Sequence, residues 1–170
     1  MILSVYLAII FILFIFIFWE ISCIISLIFG SPFTKTPRDY LKKAFKIADL
    51  KPNEIVYDLG SGDGSVLIVA AKDFKAKATG YEISPWRYLL SKSNLRRNHI
   101  RSANIVFQDF KKADLNKADV IYMYVMPKLI KKLKNKIINL RKGMRIISYR
   151  FPINYLKLFK HEGKIYVYKI

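Results

Sequence analysis

Between residues 54 and 149 of this chain, short apolar runs rich in β-branched residues alternate with longer segments of helical periodicity. That alternation admits few folds. Strands are expected at residues 54–58, 76–83, 104–108, 119–125 and 144–149, with helices at 64–72, 85–98 and 127–140. Strands separated by helices pair in parallel through right-handed crossovers, so the sheet is mostly parallel and the class is α/β. The tail breaks the pattern. Residues 155–160 and 164–170 flank His161-Glu162-Gly163 and read as a β-hairpin with glycine at its turn. The expected sheet is therefore parallel with an antiparallel hairpin at its end.

The first charged residue is Glu20 and the first basic one is Lys35. An apolar run covers residues 2–18, and a second one continues to residue 29 after Trp19 and Glu20. About 20 such residues cross a bilayer core. No Lys or Arg precedes the run, it outlasts the apolar core of a secretory signal peptide, and no small-x-small cleavage site follows, so an uncleaved transmembrane helix is expected. All 30 Lys and Arg come after Gly30, where they face 11 acidic residues, a formal charge of +19. Basic residues stay on the cytoplasmic side, which makes the chain a single-pass membrane protein with its domain in the cytoplasm. Two partners suit the basic surface, nucleic acid and anionic lipid. Beside an anchor, lipid is favoured, and a Lys-rich composition without a partner is the plain alternative.

Residues 30–37 hold two prolines and read as an extended lead-in, since a residue before proline leaves the α region. Thr36-Pro37 reads as an N-cap and first-turn pair opening a helix with Tyr40, Leu41, Ala44, Phe45 and Ala48 on one face. Lys51-Pro52 is expected to end it. The chain thus divides into an anchor at 1–29, a lead-in and first helix at 30–53, and the α/β domain at 54–170.

The first strand runs into Asp58-Leu59-Gly60-Ser61-Gly62-Asp63-Gly64. Glycines let the backbone turn tightly and approach a ligand, and the following helix offers free N–H groups. A dinucleotide loop has the spacing G-x-G-x-x-G and holds a pyrophosphate. Here the spacing is G-x-G-x-G with carboxylates at Asp58 and Asp63, which repel a pyrophosphate and suit a ligand carrying an ammonium and a sulfonium group. Glu82 closes the second strand about 20 residues on, where a carboxylate accepts from both ribose hydroxyls. Asp109 and Phe110 close the third, where a carboxylate can accept from an adenine amino group and a ring can stack on it.

Asp58 to Gly64, Glu82 and Asp109 together resemble the successive cofactor motifs of seven-stranded methyltransferases that use S-adenosyl-L-methionine. The resemblance implies a Rossmann-like, doubly wound sheet and that cofactor, with Thr36, Asp58, Gly60, Ser61, Gly62, Asp63, Glu82, Asp109 and Phe110 binding it and no metal. A narrower likeness adds the anchor, Pro32-Phe33-Thr34-Lys35-Thr36-Pro37 and Ala118-Asp119-Val120-Ile121-Tyr122-Met123-Tyr124-Val125-Met126-Pro127. These are similar to a family of membrane-associated protein-lysine methyltransferases whose mitochondrial members modify the ATP synthase c subunit and the adenine nucleotide translocase. That likeness implies N-methylation of a lysine in a membrane protein. Methyltransferases directed at nucleic-acid amino groups carry Asn/Asp-Pro-Pro-Tyr/Phe after the fourth strand, where this chain has Tyr122-Met123-Tyr124-Val125-Met126-Pro127. At least one of Tyr122 and Tyr124 is expected in the core, and Tyr124, nearest the strand's carboxyl end, is expected to wall an acceptor channel that favours an ammonium by cation–π attraction. His99 and His161 lie away from these motifs, and no general base stands out. Two other readings stay open: a methyltransferase for RNA or a small molecule, which the basic stretch 128–150 favours, and a non-catalytic adenosyl-binding membrane module.

Overall fold

A computed structural model describes residues 2–28 and 34–170. The lead-in residues Gly30, Ser31, Pro32 and Phe33, expected to run extended, lie outside the described residues. Among the described residues the chain opens with helix α1 (Ile2–Ile28), followed by α2 (Arg38–Ile47), β1 (Ile55–Leu59), α3 (Ser65–Phe74), β2 (Lys77–Glu82), α4 (Pro85–Arg97) and β3 (Ala103–Phe107). A single 3-10 turn (Phe110–Lys112) leads to β4 (Val120–Met123), α5 (Pro127–Lys132), α6 (Lys134–Ile138), β5 (Arg145–Tyr149) and the hairpin β6 (Leu158–Glu162) and β7 (Ile165–Lys169).

The seven strands pair in the order β3-β2-β1-β4-β5-β7-β6. β1 to β5 are parallel, and β7 runs antiparallel to both of its neighbours. The mostly parallel sheet with an antiparallel end hairpin is the one the sequence pattern calls for. β1 pairs with β2 on one side and β4 on the other, so successive connections leave it in opposite directions. Such a reversal opens a crevice at the carboxyl ends of the strands. Each face of the sheet has its own core. Leu41 and Phe45 of α2, Leu67 of α3 and Leu95 of α4 cover one face. Leu129, Leu133 and Ile137 from α5 and α6 cover the other. Burial on both faces explains why β1 and β4 are apolar without alternation.

Four local expectations change. The helix expected at 127–140 is two helices meeting at Leu133, whose N–H is shared between the carbonyls of Leu129 and Ile130. The apolar face continues across the break because Leu129, Leu133 and Ile137 are all buried. Thr36 does not cap α2. Pro37 occupies the cap position without a side-chain bond, and the Thr36 hydroxyl instead meets the Tyr122 hydroxyl at 3.0 Å. α2 ends before Lys51-Pro52, at Asp49 in the left-handed region (φ 54°), with the Leu50 N–H donating to the Phe45 carbonyl. The first strand of the hairpin starts at Leu158 rather than at residue 155.

α1 is long and apolar enough to cross a membrane, about 40 Å at 1.5 Å per residue. Its side chains from Ile2 to Ile17 are exposed, and further along, at Phe18 and Ser22, it packs on the start of α4. Glu20 is half-buried next to that contact.

The loop after β1 lies across β2 because Gly80 lacks a side chain. A Cβ there would stand 2.5 Å from the Ser61 Cβ and 2.9 Å from Leu67 Cδ1. Both neighbours are held, Leu67 in the core and Ser61 by its N–H to the Tyr81 carbonyl. Gly80→Ala should therefore lift the loop from the sheet, lowering stability by about 1–3 kcal/mol. A thermal melt of the ligand-free chain reads this as a drop of several degrees, and an unchanged midpoint would contradict the packing described.

Candidate functional site

The crevice predicted by the strand order is present as an open cleft. It lies at the carboxyl ends of β1, β2 and β4, where ligands bind in open α/β sheets. Asp58, the loop residues Gly60, Ser61, Gly62 and Asp63, the β2 end Glu82, the lead-in Thr36, Phe110, Tyr122 of β4 and Tyr124 just beyond it all line it.

The loop is tied down by its backbone. The N–H groups of Gly60 and Ser61 both donate to the Tyr81 carbonyl at 3.0 Å, and the Gly62 N–H donates to Glu82 Oε2 at 2.8 Å. Gly60 sits at φ 95°, with open space where a Cβ would project. The Asp63 carboxylate accepts the Ser65 N–H at 3.0 Å, at the start of α3, and pairs with Lys35 at 3.2 Å. Lys35 thus reaches from the lead-in across to the loop.

Glu82 has a second job besides facing the cleft. Its Oε1 accepts the N–H groups of Ile83 and Ser84, each at 2.9 Å. Burial raises its carboxyl above the ordinary value, while the N–H groups of Ser84, Gly62 and Ile83 pull it back down. A carboxylate oxygen has two lone pairs, so Oε1 is filled by its two N–H donors, while Oε2 accepts one and keeps capacity for a ligand.

Asp58 is different. It is 1% exposed and its Oδ2 has no hydrogen-bond partner among the described residues. Burial pushes its carboxyl well above the usual range, and the charges of Glu82 and Asp63 push the same way. The Ser61 hydroxyl is buried and unpartnered as well. A buried acceptor without a donor is costly. Three carboxylates therefore converge on one cleft in a chain of net charge +18. What they call for is a cationic ligand with N–H donors. The ammonium of S-adenosylmethionine would answer Asp58 and a ribose hydroxyl would answer Glu82 Oε2, so the residues present fit that group.

Asp109 does not line the cleft. Its Oδ1 accepts the Lys111 N–H at 2.9 Å and its Oδ2 pairs with the Lys111 ammonium at 3.2 Å, so it caps the 3-10 turn. Phe110, the next residue, does face the cleft. Tyr122 is 1% exposed and belongs to the core, yet the hydroxyl it shares with Thr36 reaches the cleft wall. Burial raises its pKa, so the phenol stays protonated. Tyr124 is half-buried, packed edge-on against Tyr149 at 5.0 Å and beside Phe151 at 6.2 Å, and its hydroxyl accepts from Arg150 at 3.2 Å. His99 and His161 are exposed and away from the cleft. The sequence reading missed Tyr81, Ile83 and Arg87, which also line it. Arg87 stands in the first turn of α4 near the Glu82 carboxylate, a position without a sequence signal of its own.

Residues 58–160 match the model of the ANTKMT methyltransferase domain. A protein-lysine N-methyltransferase of Saccharolobus islandicus (strain REY15A) is 36% identical over 125 residues, covering 72% of this chain and 78% of that one. The adenine nucleotide translocase lysine N-methyltransferase of Mus musculus is 31% identical over 106 residues, covering 61% of this chain and 45% of its own length. The chain thus spans less than half of that mouse relative. Among solved structures, an RNA methyltransferase from Salinibacter ruber in complex with S-adenosyl-L-homocysteine superposes with a TM-score of 0.77 at 25% identity, covering 81% of this chain and 94% of that one.

The unpartnered carboxylate has a measurable consequence. Asp58 has a folded-state pKa above its unfolded value, so between the two the folded state holds a proton that the unfolded state releases. Stability then falls as pH rises through that window. Asp58→Asn removes the charge. It should melt several degrees higher than the parent chain at pH 8 without ligand, with the gain shrinking towards pH 4. A variant less stable than the parent at pH 8 would show that the carboxylate has a partner after all.

Proposed function

This chain belongs to the ANTKMT methyltransferase domain family and is an S-adenosylmethionine-dependent methyltransferase, and we propose that its acceptor is the side-chain amine of a lysine in a membrane protein. The observation that carries the reading is the cleft itself. A buried carboxylate oxygen without a partner among the described residues, on Asp58, and the rings of Tyr122 and Tyr124 line the same cleft. The names of the relatives from S. islandicus and mouse, both lysine methyltransferases, support the choice of acceptor.

The bound cofactor supplies an electrophilic methyl group on a sulfonium. The protein's part is to hold that group and an amine in line. Asp58 would hold the ammonium and Glu82 Oε2 a ribose hydroxyl, with the loop from Gly60 to Asp63 lining the same cleft. Free lysine has a pKa of about 10.4, and only the neutral amine has a lone pair to offer. Desolvation in the tyrosine-walled mouth and the nearby positive charge both favour the neutral form. Tyr122 is a poor base, being protonated and bonded to Thr36, and the histidines are remote. Catalysis on this account rests on proximity and alignment. Tyr124 is the residue proposed to guide the lysine, its ring oriented by Tyr149 and its hydroxyl by Arg150.

α1 supports a membrane setting. A single span with the basic residues on its carboxyl-terminal side supports a reading in which the α/β domain is cytoplasmic and close to targets in the same bilayer. The Lys and Arg side chains then lie within reach of anionic headgroups. An RNA acceptor is the second reading, favoured by the basic surface and by the likeness to the S. ruber enzyme. Its weakness is the tyrosine-rich strand end in place of Asn/Asp-Pro-Pro.

Full-length protein in detergent, given methyl-labelled S-adenosylmethionine and separate membrane-protein and RNA fractions, should label a membrane protein. Acid hydrolysis should release the label as methyl-lysine, and Gly60→Arg should abolish transfer by filling the cleft. Label found in RNA alone would overturn the lysine assignment.

A further inference from the structure

We propose that Ser22, a residue of the apolar helix α1, is a positioning residue for the cofactor cleft. α4 starts with Pro85, which has no N–H, so the Trp86 N–H is the first donor of the helix that needs a partner. The residue at the cap position, Ser84, does not provide one from its own side chain. Ser22 does. Its Oγ accepts the Trp86 N–H at 2.8 Å and lies 2.7 Å from the Ser84 Oγ. Ser22 and Ser84 are each 1% exposed. One helical turn earlier on α1, Phe18 meets the Trp86 ring edge-on at 6.4 Å.

The link continues to the cleft. The Ser84 N–H donates to Glu82 Oε1 at 2.9 Å, and Glu82 Oε2 holds the Gly62 N–H of the loop. Arg87, from the same first turn of α4, lines the cleft beside them. A helix that served only as a tether would need no buried hydroxyl at its contact. Here a side chain 62 residues away in sequence caps α4 and orients the carboxylate that faces the ribose. α1 is therefore part of the binding site's framework as well as an anchor.

This inference rests on the reading of the cleft as an S-adenosylmethionine site. Calorimetric titration of the full-length chain in detergent with S-adenosylhomocysteine tests it. Ser22→Ala should raise Kd roughly five- to tenfold, the size of a lost helix cap. Ser22→Thr keeps the hydroxyl and should stay within about twofold of the parent chain. The loss in Ser22→Ala should shrink for the 2′-deoxy analogue, which offers Glu82 less to hold. Ser84→Ala, the other end of the same bond, should weaken binding too, and the double variant should lose less than both single losses combined. Unchanged affinity in Ser22→Ala overturns the proposal, and so does an equal loss for both ligands, which is general loosening. A parent chain that fails to bind S-adenosylhomocysteine brings down the methyltransferase reading itself, a result distinct from these.

Discussion

Near the end of β1, Asp58 buries a carboxylate oxygen that has no hydrogen-bond partner among the described residues. Asp58 is enclosed by β1, the glycine loop and the residues of β4, and nothing in the described chain donates to its Oδ2. Such a group persists because the surrounding structure holds it in place. The loop above it is pinned to β2 by the Tyr81 carbonyl and by Glu82, and it can lie so close only because Gly80 has no side chain. The strand reversal between β1 and β4 opens the space that Asp58 faces. What relieves the carboxylate must come from outside, carry positive charge and donate hydrogen bonds.

That requirement explains an otherwise odd charge distribution. The chain is basic overall, but its cleft gathers Asp58, Asp63 and Glu82. The basic side chains sit mainly on the surface, where pairs such as Arg38 with Asp73 and Lys43 with Glu162 are exposed. Exposed pairs of this kind contribute about 0–1 kcal/mol each. The acidic cleft selects a ligand, whereas the basic exterior acts on whatever surface lies nearby.

Much of this was legible in the sequence. The alternation of apolar runs and helical segments led to the mostly parallel sheet, and the change at residue 155 led to the hairpin. The spacing of Gly60, Gly62 and Gly64 with Asp58 pointed away from a pyrophosphate, and Glu82 marked the end of the neighbouring strand. What stayed hidden depends on partners distant in the chain. Thr36 looks like a helix cap until Tyr122, 86 residues on, is placed beside its hydroxyl. Asp109, expected at the adenine, also closes its carboxylate on the Lys111 N–H within its own turn, a local bond with no signal in the sequence. Ser22 carries no sequence signal of its own, and only the packing of α1 on α4 shows it capping Trp86. Local pattern predicts elements well, but it does not say which of two available partners a hydroxyl or carboxylate takes.

The central claim is that the cleft is built for a cation. Equilibrium dialysis of the full-length chain against S-adenosylmethionine and against NAD, at the same ionic strength, tests it most directly. The account predicts saturable binding of S-adenosylmethionine that salt weakens, and no measurable binding of NAD, whose pyrophosphate meets Asp58 and Asp63. Tighter binding of NAD than of S-adenosylmethionine would contradict it.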